Sequence, residues 1–488
     1  MSKTVLICSN AYPPSFIGGA ELIAHYQAKA LQRLGHRVVV FTGDISDVGD
    51  RHQLRYEPFE DLPVYRTRLT GLDYQPDMVN FHHAAVERQF ASILQQQRPD
   101  VVHAHNLIGL STGILSQARE FGARTVLTLH DHWGFCYKNT LIRQDHRICE
   151  DFTGCHECKA SIPDGADRNV PIRLRNDYIG AQLDACDFLV SPSLYLARQY
   201  VRAGFPLSRM RVVWNGIDLE RFSAIRKSPR AGEVRFTFIG YLGAHKGVQT
   251  LMQAIELLAA RTRNFVVNIV GVGELQQELR ERFGSGELAG RVRLLGRVPN
   301  AEIAGVFADT DVQLLPSVWP ENQPVSITEA MASRTAVIAS TLGGTPELVD
   351  DGSSGLLVAP GNAPALAGAM MKFIESPDLI EQFGTAGYEK IRSCSFESQV
   401  RKLVRLYDAP GQAPRPVQLV RLNEQRFTPE QVRELNEGTP RLADHRPVRL
   451  VLSEWAAHPP QTSAPVSGDH VPSTADLQLM AMATSRIP

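Results

Sequence analysis

Short apolar runs alternate with helix-length amphipathic segments through most of the 488 residues, and this rhythm constrains the fold more than any other feature. In the first half the runs fall at 5–8, 38–42, 101–105, 125–130, 188–191 and 211–214. Between them lie helical patterns such as Ile23, Tyr26, Ala30, Leu31 and Leu34, which share one face until Gly35 ends the segment. Runs this short and this continuously apolar predict strands buried on both faces, so the expected architecture is a parallel sheet covered by helices. The second half repeats the plan, with strands at 236–239, 266–270, 292–295, 312–315, 336–339 and 355–358. Helices are expected there near 247–260, 274–282, 301–308, 324–333 and 363–374. The fold class read from this is α/β: two doubly wound domains in tandem, with ligand binding expected in a cleft where the carboxyl ends of the strands face.

Boundaries follow from where the rhythm fails. Residues 221–233 mix basic residues with a proline and a glycine and have no apolar period, which suggests a linker. The expected division is a first domain at 1–222, a second at 223–395 and a closing helix at 396–410 that packs back on the first. Residues 411–488 hold ten of the 30 prolines and read as a largely disordered tail, with one short helix from Thr428 to about Asn436 and a small strand near Leu450. A formal net charge of −1 gives no reason to expect nucleic acid as a partner. No apolar run approaches the roughly 18–20 residues needed to span a bilayer. The first residues are too short a pattern for a signal peptide, so the cytosol is expected, and the seven cysteines are expected as thiols or metal ligands rather than a disulfide framework.

The chemistry concentrates between 314 and 355. Glu321 and Glu329 are separated by seven residues, with Pro320 and Pro324 bracketing the first. Pro324 suits the opening turn of a helix, which puts Glu321 in the preceding loop and Glu329 inside the helix. The N–H groups of Val325, Ser326 and Ile327 would then face an anion. Two carboxylates beside such a helix start suit a ligand that carries both hydroxyls and phosphates. An acidic loop before an ordinary helix fits the spacing equally well.

The order of motifs decides between these. Pro14–Glu21 with Gly-Gly-Ala-Glu is followed by His103-Ala-His105, Thr128-Leu-His130-Asp131 and Trp214-Asn-Gly-Ile-Asp218. Then come Gly240 with Lys246-Gly247, Val270-Gly-Val-Gly-Glu274, Gly296, Pro316-Ser317, the glutamate pair, and Gly343-Gly344-Thr-Pro-Glu347. Over roughly residues 3–408 the chain resembles the retaining glycosyltransferases of family four, whose two Rossmann-like domains form the architecture called GT-B.

The resemblance implies a nucleotide-sugar donor, a sugar, glycan or lipid-linked acceptor, and no cofactor required for catalysis. It assigns Lys246 to the donor diphosphate, where charge builds up as the leaving group departs. Gly18 and Gly19 would approach the phosphates from the first domain, together with Val325, Ser326 and Asn322 from the second. Glu329 would clamp the ribose by accepting its hydroxyl hydrogens. Glu321 would lie beside the transferred sugar and His130 at a sugar hydroxyl, helped by Asp131. Many relatives carry arginine immediately after the glycine at the Gly240 position. Tyr241 stands there in this chain, which leaves Arg297 as a candidate second cation. His103 and His105 read as packing groups. Asp309-Thr-Asp311 resembles a metal-binding pair of another glycosyltransferase architecture but precedes a buried strand, so a structural role is expected. Related enzymes often dock on anionic lipid, and peripheral membrane contact stays open. An epimerase or phosphorylase of the same architecture, or a catalytically silent binding module, are the alternatives.

One feature stands apart. Cys136-x12-Cys149-x5-Cys155-x2-Cys158 follows the His130 strand in an apparent insertion at about 132–165. Some family members resemble it here, which suggests a subgroup. The spacing admits structural Zn²⁺, free thiols, or redox chemistry, with His132, His146 and His156 as further ligands.

Overall fold

A computed structural model describes residues 2–16, 18–46, 49–75, 79–145, 147–152, 155–163, 169–228, 232–411, 418–421, 428–437 and 448–451. It separates into two compact units: Met1–Val213 together with the described residues from Val400 on, and Trp214–Gln399.

Unit 1 is built on an eight-stranded sheet. Its strands are β1 (Thr4–Ser9), β2 (Arg37–Asp44), β3 (Leu54–Tyr56), β4 (Val64–Arg68), β5 (Val101–Ala104) and β6 (Arg124–Thr128). A separate antiparallel pair, β7 (Ser161–Pro163) with β8 (Asn169–Pro171), precedes the last two, β9 (Phe188–Ser191) and β10 (Met210–Val212). The order across the sheet is β10-β9-β6-β5-β1-β2-β4-β3, and β3 alone runs antiparallel to its neighbour. Val5, Leu6, Ile7 and Cys8 of β1 are fully buried, as a central strand covered on both faces requires.

Unit 2 has strands β11 (Val234–Ile239), β12 (Phe265–Val270), β13 (Val292–Gly296), β14 (Val312–Leu315), β15 (Ala336–Ser340) and β16 (Leu356–Val358), all parallel. Their order is β13-β12-β11-β14-β15-β16. Counted within the unit this is 3-2-1-4-5-6, the dinucleotide-binding order, with its topological switch point between β11 and β14. Phe236, Phe238, Val267, Ile269, Leu314 and Ile338 fill the core beneath its helices.

Two boundaries differ from the sequence reading. The first unit ends at Val213, not 222, because 214–228 pack on unit 2. Residues Leu219–Ser223 are helical, and the Lys227 ammonium donates to the carbonyls of Phe307 (2.8 Å) and Thr310 (3.0 Å) and to the Thr335 hydroxyl. The basic residues that suggested a solvated linker are partly anchors for carbonyl oxygens. The helix Phe396–Asp408 crosses the second boundary, and from Val400 it belongs to unit 1. There the Tyr407 hydroxyl lies 2.7 Å from His103 Nδ1, and Asp408 pairs with Lys3 at 2.7 Å.

The described parts of 411–488 include the short helix expected from Thr428 and the small strand expected near Leu450. The helix Pro429–Glu437 buries Val432 and packs on unit 1, where Asn436 donates to Ala160 O (2.8 Å) and accepts from Arg173 N–H (3.3 Å). A parallel pair, β17 (Gln418–Arg421) with β18 (Val448–Val451), contains the strand expected near Leu450. The stretch 458–474, expected to be disordered, lies outside the described residues. Among the described residues no helix is long and apolar enough to cross a membrane.

Candidate active site

Loops at the carboxyl ends of β11 and β14 meet at the switch point of unit 2. After β11 the chain forms a single 3₁₀ turn, Ala244–Lys246, and then enters the helix Val248–Ala259 through Gly247. Gly247 has φ +72°, and a Cβ there would lie 1.8 Å from Pro316 O, so only glycine lets the two loops touch. Val318 N–H donates to His245 O at 2.9 Å and closes the contact.

This contact brings Lys246 to Glu321. Lys246 Nζ lies 2.6 Å from Glu321 Oε1, and the same oxygen accepts from Ser317 Oγ and Trp319 Nε1, both at 2.8 Å. The ammonium also sits 4.7 Å from the Trp319 ring centroid, a cation–π contact. Burial alone would raise the Glu321 carboxyl. The Lys246 charge and the three hydrogen bonds outweigh it, and the group titrates below its ordinary value. The result is a close anion–cation pair. Behind Glu321, Gly343 at φ +65° allows its loop within touching distance of Glu321 O, and Gly344 N–H donates to that oxygen at 2.6 Å.

Tyr241 is buried and stacks on His245 with 5.8 Å between ring centroids, and His245 meets Trp319 edge-on at 5.0 Å. An aromatic layer thus lies beside Lys246. Arg297 is exposed and follows β13, two strands from β11 in the sheet. Trp319 and His245 were missed as site residues in the sequence. The tryptophan two positions before Glu321, at a strand's carboxyl end, was the available signal.

Glu329 lies inside the helix Val325–Ala332, which Pro324 caps as expected. Ile327 N–H already donates to Pro324 O (3.2 Å), so the first-turn donors left are those of Val325 and Ser326 rather than all three. Burial raises the Glu329 carboxyl to about 8, and Arg221 only partly offsets it. Asn322 is half-buried in the loop between Glu321 and this helix. Of the Asp309 and Asp311 pair, both carboxylates engage Arg235, at 3.3 and 2.9 Å.

In unit 1, Gly18 caps the helix Gly19–Arg33. Its N–H donates to Glu21 Oε2 at 2.8 Å, the one half of a capping box that a glycine can make, so that donor is occupied by the chain's own carboxylate. His130 follows β6 and stacks on His105 (5.2 Å, 20°), with 2.9 Å between its Nε2 and His105 Nδ1. Burial lowers the imidazole of His130 to about 4, which keeps it neutral. The expected help from Asp131 takes another form: its Oδ1 accepts from Trp133 N–H at 2.7 Å and shapes the turn after His130. His103 is bound on both ring nitrogens, by Thr128 and Tyr407, each at 2.7 Å, in keeping with packing.

Cys136, Cys149, Cys155 and Cys158 are free thiols lining one pocket in unit 1. His132 instead bonds Asn139 O at 3.1 Å, and His146 lies outside the described residues. Among the described residues, the one trio of metal-ligating side chains with all its ligand atoms within 4.8 Å is His52, Asp73 and His83. Arg51 and Thr70 already saturate Asp73 there, and Arg51 supplies the positive charge.

Residues 17–221 match the family described as Glycosyltransferase Family 4, and residues 221–390 match Glycosyl transferases group 1. The two matches adjoin at residue 221 and together span residues 17–390. These glycosyltransferase domains are 25% identical over 409 residues to a glycogen synthase of Mycobacterium tuberculosis, covering 80% of this chain and 90% of that protein. A phosphatidyl-myo-inositol mannosyltransferase of Mycolicibacterium smegmatis is 30% identical over 208 residues, 42% of this chain and 53% of the relative. Among solved structures, sucrose-phosphate synthase from Thermosynechococcus elongatus has a TM-score of 0.63 at 19% identity, covering 84% of this chain and 98% of that one. Anabaena HepE in complex with UDP and glucose has a TM-score of 0.60 at 18% identity, covering 84% of this chain and all of that one (100%). The glycosyltransferase fold is therefore GT-B: two α/β Rossmann-like domains with parallel sheets.

Proposed function

We propose that this glycosyltransferase is retaining and moves a sugar from a nucleotide-sugar donor to a glycan, lipid-linked or small-molecule acceptor without a catalytic metal. The observation that carries the reading is the buried Lys246–Glu321 pair at the switch point of a dinucleotide-type sheet. In this reading a diphosphate displaces Glu321 as the partner of Lys246, and the lysine neutralises the charge that develops on the leaving group. Glu321, held by Ser317 and Trp319, keeps its charge and balances the oxocarbenium-like sugar. The departing phosphate oxygen takes the acceptor's proton, so no protein base is needed. Val325 and Ser326 offer N–H donors to the donor's anionic end, with Asn322 beside them. In unit 1 the same reading assigns the start of the Gly19–Arg33 helix to an anion and neutral His130 to a sugar hydroxyl. The epimerase reading predicts sugar turnover without acceptor. Product nuclear magnetic resonance tests retention: the new linkage is expected to keep the donor's anomeric configuration, and inversion would refute it.

Glu329 as ribose clamp has a pH consequence. Its carboxyl stands at about 8 in the fold against an ordinary 4.5. Between those values the folded state keeps a proton that the unfolded chain has released, so this group's contribution is full at low pH and is lost as pH rises through the window. Ribose hydroxyls donate more strongly to the ionised carboxylate than to the neutral acid, so donor affinity is expected to rise across the same window. Glu329→Gln should flatten both the stability slope and the affinity slope, read by denaturant titration and calorimetry. A wild-type donor affinity independent of pH would remove Glu329 from the ribose.

A further inference from the structure

The four cysteines and a buried arginine point to a metal centre. Cys155 and Cys158 occupy one helical turn, so their thiols share a face. Cys149 is drawn in by its N–H donating to Leu141 O at 2.7 Å, at the base of a turn closed by the bridge between Ile142 and Ile148. Phe135, Leu141 and Phe152 wall the pocket.

Arg175 makes the charge argument. It is 2% exposed, donates to Trp133 O (3.3 Å) and Asn176 Oδ1 (3.1 Å), and has no carboxylate at ion-pair distance among the described residues. Its electrostatic neighbours are the Cys136 and Cys155 sulfurs, Tyr200 and the Asp131 carboxyl. Asp131 is the one carboxylate among them, and burial raises its carboxyl to about 7, so it supplies the buried guanidinium only part of a counter-charge, and neutral thiols supply none. Zn²⁺ held by four thiolates carries two net negative charges, the four thiol protons leaving to solvent.

We propose that Cys136, Cys149, Cys155 and Cys158 bind one structural Zn²⁺, and that the tetrathiolate centre is the counter-charge of Arg175. The sulfurs draw together on binding, since Zn–S bonds of about 2.3 Å need closer spacing than the thiols have alone. Through Arg175 and Trp133 O the centre supports the turn formed by Asp131 and Trp133 immediately after His130.

Metal analysis of full-length protein purified without chelator is expected to give about one zinc per chain. Replacement by Co²⁺ should produce the thiolate-to-metal charge-transfer band and the intense visible bands of a tetrahedral site. Cys155→Ser and Cys158→Ser should lose the metal, whereas Cys186→Ser, buried outside the pocket, should keep it. Arg175→Met should weaken zinc in chelator competition by ~10–100-fold. Metal-free protein whose four cluster thiols react freely in the native state, or a disulfide among them, overturns the site. Unchanged zinc affinity in Arg175→Met overturns the counter-charge role. Should the serine variants fail to fold, metal content and the cobalt spectrum of the wild-type chain still decide.

Discussion

Lys246→Ala is expected to lower sugar transfer by ~10²–10³-fold, mostly in kcat, as for removal of one preorganised group that stabilises a developing anion. The structure adds a stability effect that separates two roles of the same side chain. Lys246 is the counter-ion of Glu321, which is 8% exposed. Removing the lysine alone leaves a buried carboxylate unpaired, at a cost on the order of 3–5 kcal/mol unless the group takes up a proton. Its remaining hydrogen bonds from Ser317 and Trp319 soften this. The double variant Lys246→Met with Glu321→Gln removes both charges and should recover much of the lost stability without recovering transfer. If transfer returned with stability, the lysine would be structural and the site assignment wrong.

Gly247→Ala is the second large effect. The new Cβ would meet Pro316 O at 1.8 Å, backbone against backbone, at φ +72°. Neither partner is the flexible end of a side chain, so the loops after β11 and β14 must part. A loss of about 3–5 kcal/mol is expected, together with activity, because the same contact delivers Lys246 to Glu321. Gly286 provides the control: it has φ +76° but nothing within 4 Å of a Cβ, so Gly286→Ala should cost only the ~1–2 kcal/mol of left-handed backbone. Thermal and urea unfolding of the two variants measure the difference. Equal losses would mean that backbone strain, not the loop contact, sets the cost.

The sheets were legible in the sequence because central parallel strands must be apolar on both faces. The run at 5–8 is wholly of that kind, and those at 236–239 and 312–315 depart from it only at Thr237 and Gln313, both buried. Strand β4 was not, since Val-Tyr-Arg-Thr-Arg puts two arginines in it. Arg66 is nonetheless buried, donating to the carbonyls of Tyr12 (3.1 Å) and Pro13 (2.5 Å). A polar side chain satisfied by distant backbone leaves no periodic trace. The same reason hid the docking of Lys227 and Asn436, whose partners are carbonyls far along the chain. At the candidate site, Lys246 and Glu321 were singled out by motif order, but their pairing came from Gly247, whose role depends on a backbone contact 69 positions away, at Pro316. Trp319 was invisible as a partner until its ring was seen beneath the ammonium.

Nucleotide release from a panel of nucleotide sugars, measured with and without candidate sugar acceptors, tests the central claim most directly. At least one donor should turn over, faster with acceptor than without, with the sugar recovered in the product, and Lys246→Ala should abolish the acceptor-dependent rate. Nucleotide sugars that bind but are never cleaved, or a rate and product indifferent to acceptor, would contradict sugar transfer at the Lys246–Glu321 site.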